Sequence, residues 1–276
     1  MQLSQTLRRL NRWSKGKFCA LSDKSYFIIR RLEQKFRSIP RKKASNGSSI
    51  HLLCVNRPEY VEATINCLNS FWQYNPEYAA TIWIDSSTLK FVSKMRKKLD
   101  FPTRITFKEV PHPEREWQWN KLLIILNTIN SNDLFCDADI IWNGSYKPTN
   151  NVRFFLREFD LNRRAIYRHI LTNYLEIDLE NVYMYNVSLV QLRNLPNPET
   201  FKSRAQDLYQ IFRNIGIDNF MCVDDIPSIK RMSEQLALSI SIQEIFNEIE
   251  ILKSSDSVMD GGIAESYYLG SSRGYP

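Results

Sequence analysis

The sequence predicts an α/β protein, a mostly parallel sheet flanked by helices, preceded by a basic helical segment. Three observations lead there. Short apolar runs alternate with stretches of helical period from residue 50 to residue 136, the pattern of a parallel sheet with helical crossovers. Polar residues Asn56, Asp85 and Asp137 stand at the ends of three of those runs, where such sheets bind ligands. Charge is segregated: residues 1–43 hold 13 Lys or Arg against two acids, while the remainder is slightly acidic.

The elements follow in order. Leu3, Leu7 and Leu10 recur at helical spacing among Arg8, Arg9 and Arg12, and Tyr26, Ile29, Leu32 and Phe36 repeat the pattern after Ser22. Pro40 and Ala44–Ser49 read as a linker, which divides the chain into a basic segment, 1–46, and a main domain, 47–276. The basic segment suits an anionic membrane surface, packing on the main domain, or, less well, nucleic acid. Ile50–Val55 reads as the first strand. Asn56 is a helix cap with Pro58 in the first turn, and Val61, Ile65, Leu68 and Trp72 form one helical face. Thr81–Ile84 is a second strand ending at Asp85. Residues 88–99 read as one basic helix, and Arg104–Val110 as a third strand. A helix over 117–130 carries Trp119, Leu122, Leu126 and Ile129 on one face. Leu134–Cys136 is a fourth strand. Val152–Leu156 and Val182–Val190 read as later strands, 228–252 as one helix, and the Gly-rich tail as loop.

Composition bounds the class. The 276 residues, 43% hydrophobic and 12% aromatic, suffice for one large domain with a core. No apolar run approaches the length of a membrane span, and the basic N-terminus lacks the apolar core of a secretory signal. Five cysteines, at 19, 54, 67, 136 and 222, form no CxxC pair and read as free thiols of a reducing cytoplasm. Asn46, Asn143 and Asn186 match the glycosylation pattern, which has no meaning without secretion. A P-loop is absent and no GxGxxG follows the first strand. Gly270–Gly274 matches GxSxG but leaves no room for the helix a nucleophile elbow needs.

Within LFCDADIIW, Asp137 and Asp139 stand one residue apart in an apolar run. At a strand's end, residues i and i+2 point to one side, so two like charges meet and one would be forced to hold a proton. A divalent cation such as Mg²⁺ or Mn²⁺ removes that conflict and prefers carboxylates together with phosphate oxygens. The competing reading is a surface turn with two solvated acids.

With these parts in place the chain resembles the nucleotide-sugar-dependent glycosyltransferases of the GT-A fold, whose sheet is Rossmann-type. HLLCVNRPEY, TIWID, WQWNKLLIILNTI, LFCDADIIW with the DxD motif, and SEQLALSI carry the resemblance over residues 50–250. It implies that Val55, Asn56, Arg57 and Asp85 contact the nucleotide and that Lys121 faces it. It implies further that Asp139 binds the metal, Mn²⁺ or Mg²⁺, and that Asp137 touches the ribose or a metal-bound water. The implied reaction moves a sugar from a nucleotide-diphosphate sugar to a hydroxyl of a glycan, lipid-linked or protein acceptor. Asp224, Asp225 and Glu234 are candidate catalytic bases, against capping or solvated helix roles, and Asn186 is a candidate sugar ligand, against a strand irregularity. A further metal-ligating His near the C-terminus is missing, and Asp256 or Asp260 are its possible substitutes. His51 reads as structural and His112 as a loop residue. The location implied is cytoplasmic, peripherally at the inner membrane face. The alternatives are a nucleotidyltransferase and a non-catalytic adaptor.

Overall fold

The computed structural model describes residues 47–55, 58–177, 182–215, 226–246, 249–251 and 264–266. The basic segment 1–46, Asn56, Arg57, Asp224, Asp225, Asp256, Asp260 and the Gly-rich tail lie outside the described residues.

The chain begins with β1 (Ser49–Cys54), α1 (Pro58–Tyr74) and β2 (Ala79–Ile84), continues with α2 (Ser86–Leu89), α3 (Val92–Lys98) and β3 (Ile105–Glu109), and then forms α4 (Trp117–Leu126) and β4 (Leu134–Cys136). These strands join a seven-stranded sheet of order β3-β2-β1-β4-β7-β6-β8, with β6 at Val152–Asp160, β7 at Tyr183–Gln191 and β8 at Ile249–Ile251. The β3–β2, β2–β1, β1–β4 and β6–β8 pairings are parallel, and β7 runs antiparallel to both neighbours. β5 (Ile140–Trp142) pairs separately with β9 (Ala264–Ser266). The expected class, a mostly parallel sheet between helices, is what the chain forms.

Alternate residues of β1 serve opposite faces, because successive strand side chains point to opposite sides. Ile50, Leu52 and Cys54 pack with Val61, Ile65, Leu68 and Trp72 of α1. Leu53 joins the other core, with Leu122 and Ile125 of α4. That second core also holds Phe201, Leu208 and Phe212 of α6 (Pro198–Asn214) and Leu236, Ala237 and Ile240 of α8 (Ser233–Ile245). A short α5 (Ala165–His169) follows β6, and α7 (Ile226–Arg231) precedes α8.

Three expected helices end differently, each for a local reason. The segment expected as one helix over 88–99 is split, because Asp85 caps a helix that starts at Ser86 and closes by Lys90, and a second starts at Val92. The helix expected over 117–130 stops at Leu126. There Thr128 turns back to donate its hydroxyl to the Ile125 carbonyl at 2.8 Å, and Asn130 takes a left-handed conformation, φ 56°. The helix expected over 228–252 breaks at Met232, where the Ser233 hydroxyl donates to the Lys230 carbonyl at 3.0 Å. Its end is strand β8, whose Ile249-Glu250-Ile251 alternates with period two. Glu250 Oε2 there accepts from Arg153 Nε and Nη2, at 3.1 and 2.6 Å.

β1→β2→β3 build the sheet to one side and β4 continues it on the other, so the strand order reverses between β1 and β4. The carboxyl ends of those strands flank the crevice where open α/β sheets take their ligands. Val55 follows one of them and Asp137 the other.

Candidate active site

Asp137 is held from several directions. Its N–H donates to the Ser188 carbonyl at 2.7 Å, fastening the chain to β7. Its carbonyl accepts the weak thiol bonds of Cys136 at 3.3 Å and Cys67 at 3.7 Å. Its carboxylate Oδ2 accepts from Lys121 Nζ at 2.8 Å. Lys121 is a buried lysine on a helix otherwise committed to the core, its ammonium 5.6 Å above the Phe135 ring. Burial pulls its pKa down. The charges of Asp137 and Glu234, the bond to Asp137 and the field of Asp139 outweigh that, and the net direction is up. The lysine therefore stays an ammonium. Asp137 of the carboxylate pair thus has an ammonium partner within the chain itself, where the sequence pointed to a bound cation.

Glu234 completes the cluster. It occupies the first turn of α8, 4% exposed, with Oε1 4.0 Å from Lys121 Nζ. Its Oε2 is buried without a hydrogen bond. Burial pushes its carboxyl up, the Lys121 charge and the N–H groups of Glu234 and Gln235 pull it back, Asp137 pushes it up further, and it settles at about 7. Lys121, with Asp137 and Glu234 beside it and the field of Asp139 on it, is thus one ammonium among three carboxyl groups. Glu234, raised first by its burial, holds its proton close to neutral pH beside that ammonium.

The site residues read from the sequence separate accordingly. Lys121, Asp137 and Glu234 come together, with Asp139 close enough to act on Lys121. Val55 is half-buried against the α4-side core. Asp85 is the N-cap of α2: its Oδ1 accepts from the Thr88 N–H at 2.9 Å, and Thr88 returns its hydroxyl to the Asp85 N–H. The same Thr88 hydroxyl reaches the Cys54 carbonyl at 2.9 Å, which ties the ends of β1 and β2 together. Asn186 donates to Glu158 Oε1 at 2.9 Å, and Gln235 donates to Glu158 Oε2 at 3.0 Å. Asn186 is thereby linked to the residue next to Glu234.

Glu158 and Gln235 were not singled out in the sequence, and only the adjacency of Gln235 to Glu234 hinted at them. Nor was Asn120, a buried amide beside Lys121. It accepts from the His112 N–H at 2.8 Å and donates to the His112 carbonyl at 2.8 Å, clamping the loop that leads into α4.

The donor set suits a hard divalent cation. Two carboxylates one residue apart at a strand end supply oxygen ligands, and Mg²⁺ and Mn²⁺ take one or two of these with phosphate and water. No group of three or more His, Cys, Asp or Glu that could hold a metal occurs among the described residues. His51 sits at the opposite end of β1, between Trp83 Nε1 and Asp133. His112 pairs with Glu114 on an exposed loop.

No family model matches the chain, and no curated protein matches it. Among solved structures it is similar to the glycosyltransferase GlyE of Streptococcus pneumoniae TIGR4, at 10% identity and TM-score 0.43, over 76% of this chain and 46% of GlyE. It is similar to mouse xyloside xylosyltransferase 1, at 9% identity and TM-score 0.44, over 77% of this chain and 86% of that one. It is also similar to the mannosyltransferase PcManGT of Pyrobaculum calidifontis, solved with GDP-Man and Mn²⁺, at 10% identity and TM-score 0.32, over 79% and 80%. All three are glycosyltransferases, the class the sequence resemblance names, and the chain spans less than half the length of GlyE. Likenesses this distant carry no argument about chemistry, which is read from the chain's own residues.

Proposed function

We propose that the chain transfers a sugar from a nucleotide-diphosphate sugar to an acceptor hydroxyl, with a divalent cation. One observation carries the reading: Lys121, Asp137 and Glu234 converge at the carboxyl end of β4, beside the switch in strand order. A bound Mn²⁺ or Mg²⁺, held by Asp139 and Asp137, supplies charge neutralisation for the departing diphosphate. Lys121 fixes the Asp137 carboxylate in place and adds a permanent positive charge beside the phosphates. Glu234 takes the proton of the acceptor hydroxyl. A base that titrates at about 7 is poised between its two forms at neutral pH, where proton transfer is most effective.

Val55, Asn56, Arg57 and Asp85 border the nucleotide in this reading, and Asn186, with Glu158 and Gln235, offers hydrogen bonds to sugar hydroxyls. The basic segment 1–46 adds contact with an anionic membrane surface at the cytoplasmic side, and the acceptor is a glycan, a lipid-linked sugar or a protein. Among the described residues, no helix is long and apolar enough to cross a membrane.

The test is titration of nucleoside diphosphates with and without Mn²⁺, followed by a panel of nucleotide sugars scored for nucleoside diphosphate release. Metal-dependent binding that Asp139→Asn abolishes, with turnover of at least one donor, is the expected result. Release of pyrophosphate instead would turn the reading to nucleotidyl transfer. Indifference to nucleotide, metal and the substitution would make the chain a non-catalytic adaptor.

A further inference from the structure

The segment Ser86–Glu109 carries seven Lys or Arg and two acids, Asp100 and the exposed Glu109. It builds α2, α3 and the edge strand β3, at the end of the sheet. Lys90, Arg96, Lys97 and Lys108 are exposed. Lys94 and Lys98 share one acid, Glu62, at 3.1 and 2.8 Å, so the face keeps a large positive excess. Four of its cations lie over rings: Lys90 over Phe91 at 5.2 Å, Arg96 over Phe107 at 4.8 Å, Arg104 over Phe101 at 4.7 Å and Lys108 over Trp83 at 5.3 Å. A cation over a ring face is attracted by the ring quadrupole, and Lys90, Arg96 and Lys108 remain exposed while so placed.

Next to these cations stands Leu89, 61% exposed, the most exposed large hydrophobic side chain among the described residues. It is the last residue of α2 and the neighbour of Lys90. An apolar tip set among ammonium and guanidinium groups matches the headgroup boundary of an anionic bilayer. There the cations meet lipid phosphates, and the tip reaches the acyl boundary. Single-stranded nucleic acid asks for open aromatic faces on which bases stack, and the rings of this face are covered by their own cations.

We propose that the α2–α3–β3 face docks the protein on an anionic lipid bilayer, with Leu89 as its inserted tip. Because α2 starts at Asp85, at the carboxyl end of β2, docking there brings the rim of the crevice close to the lipid surface. The face is separate from the basic segment 1–46, and the proposal does not depend on the chain being a transferase.

The experiment is co-sedimentation of the full chain with vesicles of phosphatidylcholine alone or mixed with phosphatidylglycerol, at low and high salt. The parent should pellet with the mixed vesicles and be released by salt, since surface charge is screened over a few ångströms at high ionic strength. Each basic residue near an anionic surface contributes about fivefold in partitioning, so K90Q/K97Q should weaken it about thirtyfold. Leu89→Ser should weaken it at unchanged charge. All three side chains are exposed, and thermal melts matching the parent confirm that the variants fold. Vesicles should also protect Lys90 and Lys97 from acetylation. Partitioning of K90Q/K97Q equal to the parent would overturn the proposal and assign any binding to the N-terminal segment. Binding to a nucleic acid but not to the mixed vesicles would overturn it as well.

Discussion

Replacing Glu234 by Gln should make the protein more stable and less active, and the gain in stability should depend on pH. In the folded chain the Glu234 carboxyl is raised from 4.5 to about 7, first by burial. A group so raised binds its proton more tightly in the folded state. Its favourable contribution is full below 4.5 and is lost as the pH climbs to about 7. The span from 4.5 to about 7 corresponds to about 3 kcal/mol at 1.36 kcal/mol per pH unit. Gln reproduces the protonated carboxyl and does not titrate. The stability of the Gln variant minus that of the parent should therefore be near zero at pH 4.5 and grow to about 3 kcal/mol above pH 7. Urea unfolding midpoints of both proteins, taken in metal-free buffer across that interval, measure it directly. A difference that stays flat from acid to neutral pH would refute the burial of an unneutralised carboxyl at this position. On the activity side, the variant should lose turnover, because Gln accepts no proton from the acceptor hydroxyl.

Other substitutions probe the remaining contacts. Lys121→Met removes the cation bonded to Asp137 and nearest Glu234, and should cost about 3 kcal/mol by urea unfolding, because it strands one partner of a buried pair. Asp85→Ala removes the α2 cap and should cost about 1 kcal/mol. Unchanged nucleotide affinity in that variant would reduce Asp85 to a cap, whereas weakened affinity would support its place at the base. Asn120→Ala unclamps the loop at His112, and should cost about 1–3 kcal/mol and speed proteolysis between Pro111 and Glu116.

The strands and the placing of the rim residues were legible because they depend on local pattern. Ile50–Val55 and Thr81–Ile84 read as short strands from their apolar runs and flanking polar residues, and Asp85 stands at the end of the second. Helix ends were less legible, since they turn on single side chains. The Thr128 hydroxyl that closes α4 and the Ser233 hydroxyl that separates α7 from α8 look like ordinary helix residues in sequence. The Ile-Glu-Ile of β8 did alternate, but its identity as a strand needed β6 as a partner. In the site, Lys121 and Asp137 were each visible, while the bond between them was not, because 16 residues and a crossover separate them. The burial of Glu234 was invisible for the same reason. A glutamate in a first helical turn is ordinarily solvated, and here it is buried beside Lys121 of α4.

The composition of the cluster argues for function over stability. A buried lysine–carboxylate pair seldom stabilises a fold more than well-packed apolar side chains would, and a further carboxyl beside it makes matters worse. Had stability been the only demand, Lys121 and Glu234 would be replaceable by leucine and methionine in a helix-packed interior that is otherwise apolar. Instead, among the described residues, three carboxyl groups surround one ammonium beside the reversal of strand order between β1 and β4. In the function proposed above, such a site takes a positively charged visitor. Supplying one should pull the Glu234 pKa down from about 7 towards that of an ordinary carboxylate, because the new charge favours the ionised form. Adding Mn²⁺ alone should accordingly shrink the pH-dependent stability difference between the parent and the Gln variant. A difference unaffected by the metal would mean that no cation reaches these carboxylates.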